Sequence, residues 1–155
     1  MKIQIQQEDF SIEEEVAALR AGQPSVGAVV TFTGVVRDLN LDTGVSALEL
    51  ECYPAMVEKT LSNIVAEAMQ RWQVMDATVI HRIGRLEVEA QIVFVGVTSL
   101  HRGDAFAACE FIMDFLKTDA PFWKKEHSVQ GARWLDARSC DQQARHRWDS
   151  SGREE

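Results

Sequence analysis

Apolar and polar positions alternate over residues 2–6 (KIQIQ), the period-two pattern of a strand, here expected at a sheet edge. Ser11 followed by Glu14 has the spacing of a capping box and opens a short helix to about Arg20. Ala21-Gly22-Gln23-Pro24-Ser25 is a turn cluster. Residues 28–36 (AVVTFTGVV) are rich in β-branched side chains and predict a central strand, in which Gly34 marks a bulge or a close backbone approach. That strand delivers Arg37 to its end, ahead of a loop over 38–44. Residues 45–53 alternate as a strand whose register is left open by Val45 and Ala47 against Leu48 and Leu50. Pro54 suits the first turn of a helix, and Met56, Leu61, Ile64, Val65, Ala68 and Met69 give that helix an apolar face to about Trp72.

Residues 77–82 and 91–98 read as two more strands joined by a connector over 83–90. The next helix carries the strongest apolar stripe: Ala105, Ala108, Cys109, Ile112, Met113 and Leu116 recur at helical spacing. Thr98 and Ser99 are its expected N-cap residues, and Pro121 stops it. A short strand is expected over 122–127, a terminal helix over 134–148 and a frayed tail over 149–155. This order predicts an α+β fold with a mixed, largely antiparallel sheet and two main helices, forming a single domain over 1–148.

Composition narrows the function. With 155 residues and 46% hydrophobic content, the chain can bury a real core. No apolar run approaches the roughly 20 residues needed to span a bilayer. The N-terminal segment lacks the apolar centre of a signal peptide, so a cytoplasmic location is expected. A net charge of −8 argues against a broad nucleic-acid-binding field. Cys52, Cys109 and Cys140 form no CxxC pair, and the four histidines show no HxxxH spacing, so neither a disulfide framework nor a metal site is expected. Phosphate-loop, dinucleotide and GxSxG motifs are absent.

What remains is a set of cations: Arg37, His101, Arg102, Lys117, Lys124 and Lys125. His101 and Arg102 fall at the start of the long helix, where the dipole is already positive and a cation costs about 0.3–1 kcal/mol. A bound anion would offset that cost. Singly, each cation has an ordinary explanation, such as Lys117 near a helix C-terminus or a lysine-guarded strand edge. Together they suggest one anion-binding hollow beside the helix start. A lysine crowded there by like charges can serve as nucleophile or general base.

Three segments carry a resemblance: VVTFTGVVRDLN at 29–40, LELECYPAMVEKTL at 48–61 and IVFVGVTSLHRGDAFAACEFIMDFLKTDAPFWKKE at 92–126. IHRIG at 80–84 and DQQARHRW at 141–148 extend it. Together they resemble the catalytic (large) subunit family of molybdopterin synthase. The resemblance implies an α/β hammerhead-type fold and a homodimer with a small ubiquitin-like subunit at each end, a heterotetramer in all. That partner would carry sulfur as a thiocarboxylate on its C-terminal Gly-Gly tail. The implied reaction is a double sulfur transfer onto cyclic pyranopterin monophosphate (precursor Z), making the dithiolene of molybdopterin for molybdenum cofactor biosynthesis. No cofactor, metal, nucleic acid or membrane is implied.

Carried over by position, Arg37, His101, Arg102, Lys125 and Glu126 correspond to substrate-binding residues, and Lys117 and Lys124 to the two lysines of catalysis. Phe32 and Met113 correspond to apolar contacts of the partner's tail. Because the partner brings the sulfur, the cysteines need no catalytic role. Ala55, Glu89 and Ala90 depart from the family pattern but coincide with none of these positions. The rival reading is a non-catalytic anion-binding or scaffold protein of the same fold.

Overall fold

The structure is a computed structural model that describes residues 1–40, 43–136 and 139–149. The chain begins β1 (Lys2–Gln6), α1 (Ile12–Arg20), β2 (Ala28–Val35), β3 (Leu39–Asn40), β4 (Thr43–Gly44) and β5 (Ala47–Glu51). It continues α2 (Pro54–Arg71), β6 (Val74–Arg82), β7 (Gly84–Glu87) and β8 (Gln91–Ser99). It ends α3 (Arg102–Asp119), β9 (Trp123–Ser128), β10 (Gly131–Leu135) and α4 (Ser139–His146).

The strands make two four-stranded sheets, ordered β1-β6-β8-β2 and β10-β9-β5-β7, with β3 and β4 paired separately. All pairs are antiparallel except β1 with β6, and β1 lies at an edge. The α+β class and largely antiparallel pairing expected from the sequence are therefore present, spread over two sheets and four helices.

Alternation explains the layering. Val93, Val95 and Val97 of β8, with Ala77 and Val79 of β6, pack under α2 and α3 in the main core. Ile80 and Phe94 point to the opposite face, against Phe10 and Leu19 at α1. With both faces covered, β8 is buried from Val93 to Ser99, which is why QIVFVGVT reads as a nearly continuous apolar run. The second sheet has its own small core of Val36, Leu50 and Leu86.

Five local expectations change. The strand expected to be central over 28–36 is β2, which lies at the edge of its sheet opposite β1, while β6 and β8 hold the centre. Thr98 and Ser99 belong to β8, and His101 is the N-cap of α3 without a side-chain cap. Both hydroxyls are engaged by the start of β6: Thr98 Oγ1 accepts from Asp76 N at 3.0 Å, and Ser99 Oγ donates to Gln73 O at 2.8 Å. The 83–90 connector contains β7, which pairs with β5. Part of the 38–44 loop forms the β3–β4 pair, with residues 41–42 outside the described residues. The terminal helix is shorter: Trp134 and Leu135 lie in β10, paired with Lys125 and Lys124, and α4 starts at Ser139. The tail expected from 149 lies outside the described residues beyond Asp149.

Gly34 meets both of its expectations. The β2–β8 register shifts between Gly34 and Val35, and a Cβ on Gly34 would stand 2.9 Å from Val93 Cγ1. Side chains larger than glycine do not fit there without moving Val93.

Candidate active site

A cavity of about 520 Å³ lies where the two sheets meet, beside the C-terminal end of α3. The end of β2 and the residues after it contribute Phe32, Gly34, Val36 and Arg37; β5 contributes Leu48 and Leu50. Lys117 comes from the last turn of α3, and Phe122, Lys124 and Glu126 follow Pro121. The floor is thus apolar and the walls carry charge.

Register decides which β9 side chains serve this cavity. Lys124 and Glu126 stand opposite Leu50 and Leu48, which also line it. Lys125 stands opposite Glu49 on the other face, with its ammonium 5.4 Å from the Trp134 ring. Lys125 is not part of the cavity wall. Glu126 is 5% exposed, and Arg133 Nη2 lies 3.1 Å from its Oε2. Its carboxylate is therefore held by a cation from β10.

His101 and Arg102 do not line the cavity either. They sit at the start of α3, and Arg102 is fifteen residues before Lys117 in the same helix. At 1.5 Å per residue that is about 22 Å. The single hollow expected at the helix start is therefore divided within one chain: Arg37, Lys117 and Lys124 gather at the C-terminal end of α3, and His101 and Arg102 stand at the other. Met113 is in the main core, whereas Phe32 is 40% exposed at the cavity.

One wall residue was not singled out from sequence. His81 of β6 is 3% exposed and lines the cavity with Lys117, Lys124 and Phe122. Its ring stacks on Phe122 at 3.8 Å and 19°. Burial pushes its pKa from 6.5 down to about 3, opposed by the bond to the Arg82 carbonyl and aided by the charges of Lys124 and Lys117. The available signal was a histidine closing the buried run ATVI.

Cys109 and Cys52 are placed for packing, whereas Cys140 is exposed. Cys109 is buried in the main core, and burial, with Glu110 adding to it, pushes its thiol up to about 11. Burial also raises Cys52. Among the described residues, no group of three or more His, Cys, Asp or Glu is arranged to hold a metal ion, and no helix is long and apolar enough to cross a membrane.

Fold and cavity define an α+β protein with a hollow of small-molecule size, lined by the cations Arg37, Lys117 and Lys124 and by the carboxylates Glu126, Asp136 and Asp141. The chain belongs to the MoaE protein family, whose model matches residues 5–119. A relative from Ralstonia nicotianae named molybdopterin synthase catalytic subunit is 62% identical over 146 residues, covering 94% of this chain and 83% of that one. The solved structure of the molybdopterin biosynthesis MoaE protein from Burkholderia ambifaria superposes with a TM-score of 0.83 at 54% identity, covering 97% and 99% of the two chains. A Helicobacter pylori complex of subunits 1 and 2 of molybdopterin-converting factor shares the fold at 21% identity, with a TM-score of 0.73 and coverage of 88% and 92%.

Proposed function

We propose that this chain is the catalytic subunit of a molybdopterin synthase, a sulfurtransferase that acts on cyclic pyranopterin monophosphate. The observation that carries the reading is the meeting of Lys117 and Lys124, from two different elements, with Arg37 over one apolar-floored cavity. Arg37 clamps the substrate phosphate, because a planar guanidinium can bond two phosphate oxygens at once. One lysine donates or removes protons while the thiocarboxylate sulfur of the partner's tail attacks, water leaves and the phosphate ring opens; water then hydrolyses the acyl–sulfur bond, leaving the sulfur on the substrate and a carboxylate on the tail. Exposed Phe32 gives the incoming tail an apolar contact at the cavity.

The partner is a small sulfur-carrying subunit, and the chain works as a homodimer. The dimer gives His101 and Arg102 a role: a second copy brings its α3 start to the cavity and adds two donors for the phosphate. Glu126, held by Arg133, orients Lys124 and the substrate from the same strand face.

The test is reconstitution with thiocarboxylated small subunit and cyclic pyranopterin monophosphate, assaying dithiolene product. Wild type is expected to form it, and Lys117→Ala and Lys124→Ala to lose at least about a hundredfold in rate while remaining folded. Full activity in both variants would leave the scaffold reading standing.

A further inference from the structure

The cavity contains a buried polar group that the proposed reaction leaves unused. His81 Nδ1 lies 2.8 Å from the Arg82 carbonyl oxygen. A carbonyl only accepts, so Nδ1 carries the proton and, in the neutral ring, Nε2 is a bare lone pair. Nε2 receives no hydrogen bond from the described residues, while no fully buried side-chain nitrogen or oxygen among them lacks a partner. Nε2 therefore opens onto the cavity that His81 lines.

This acceptor is fixed in place before any ligand arrives. Phe122 holds one ring face at 3.8 Å, and the Arg82 carbonyl sets the tautomer. The cavity cations, Arg37, Lys117 and Lys124, are all donors suited to an anion. A neutral lone pair is not: phosphate oxygens are acceptors too and would repel it. It fits an N–H or O–H group, such as those on the ring of a reduced pterin.

We propose that His81 Nε2 accepts a hydrogen bond from a ring N–H of the bound pterin, and so recognises the ring while the cations hold the phosphate. The inference rests on the proposed function and extends it to the substrate's other end. A ligand without that donor leaves a buried acceptor unpaired, which makes His81 a specificity-determining residue.

The experiment is titration of the full chain with cyclic pyranopterin monophosphate and, separately, with inorganic phosphate. His81→Phe keeps an aromatic ring on Phe122 and removes Nε2. Its pterin affinity is expected to fall about tenfold with phosphate affinity unchanged. His81→Gln, whose carbonyl oxygen can accept near the same position, is expected to recover most of the loss. If His81→Phe does not fold, His81→Met against His81→Gln makes the same comparison. Equal pterin affinity in wild type and the acceptor-free variant overturns the inference alone. So does a parallel loss of pterin and phosphate affinity, the mark of a merely structural role. Wild type that binds phosphate but not the pterin overturns the functional reading, and the inference with it.

Discussion

Lys124 and Lys125 are adjacent in sequence and face opposite sides of β9, one toward the cavity and one toward Trp134. Alternation was legible in the sequence; the side that faced the cavity was not, because it depends on pairing with β5, about 75 residues earlier, and non-local register leaves no local trace. His81 went unread for a similar reason. Its burial comes from Phe122 and from strands on both sides of β6, not from its own neighbours in sequence. It also gives a pH prediction. Its folded pKa of about 3 lies below the ordinary 6.5, so between these values the unfolded chain binds the extra proton. Its contribution is fully retained above pH 6.5 and is lost as pH falls toward 3. Chemical denaturation at pH 7 and pH 4.5 should show wild type losing more stability than His81→Phe over that interval.

At the scale of elements, the helices were easier to read than the strand β10. The stripe from Ala105 to Leu116 is written within α3 itself, and all six of its residues are buried. GARWL has no comparable pattern and becomes a strand because β9 is there to pair with it across the turn at Gly131, whose φ of +114° favours glycine. The segment after it is tied down by side chains. Asp114 accepts from Trp148 Nε1 at 2.7 Å and from Arg147 Nη2 at 2.6 Å, while Arg145 bonds Asp119 at 3.0 Å. The Trp148 ring meets Trp72 and Phe111 edge-on, each at 5.5 Å. Asp114→Ala is expected to cost about 1–3 kcal/mol, since it leaves a half-buried indole N–H without its acceptor. Hydrogen exchange should show faster exchange across α4 than in the first sheet.

For the whole molecule, the sequence identified the cations but not their division between two places. The limit was helix length: an 18-residue rod cannot bring its own ends together. The proposed homodimer predicts complementation. Mixing Lys117→Ala with His101→Ala and letting the copies exchange makes half the dimers mixed, each with one intact composite site. About a quarter of wild-type sites should recover. Recovery no greater than either variant alone would mean that each chain completes its own site. The net charge of −8 is compatible with this picture only through local placement, because Glu126, Asp136 and Asp141 line the same hollow as the three cations.

The shift between β2 and β8 reaches further than local geometry. Gly34 faces Val93 and Val35 faces Gln91, leaving Ile92 as the extra residue of the bulge. Ile92 packs against both the main core and the small core of the second sheet, and it lines the cavity. A side chain common to two cores is expected to make their melting interdependent. Loosening either layer is expected to open this cavity to water, so the lifetime of the proposed activity would follow the cooperativity of the fold.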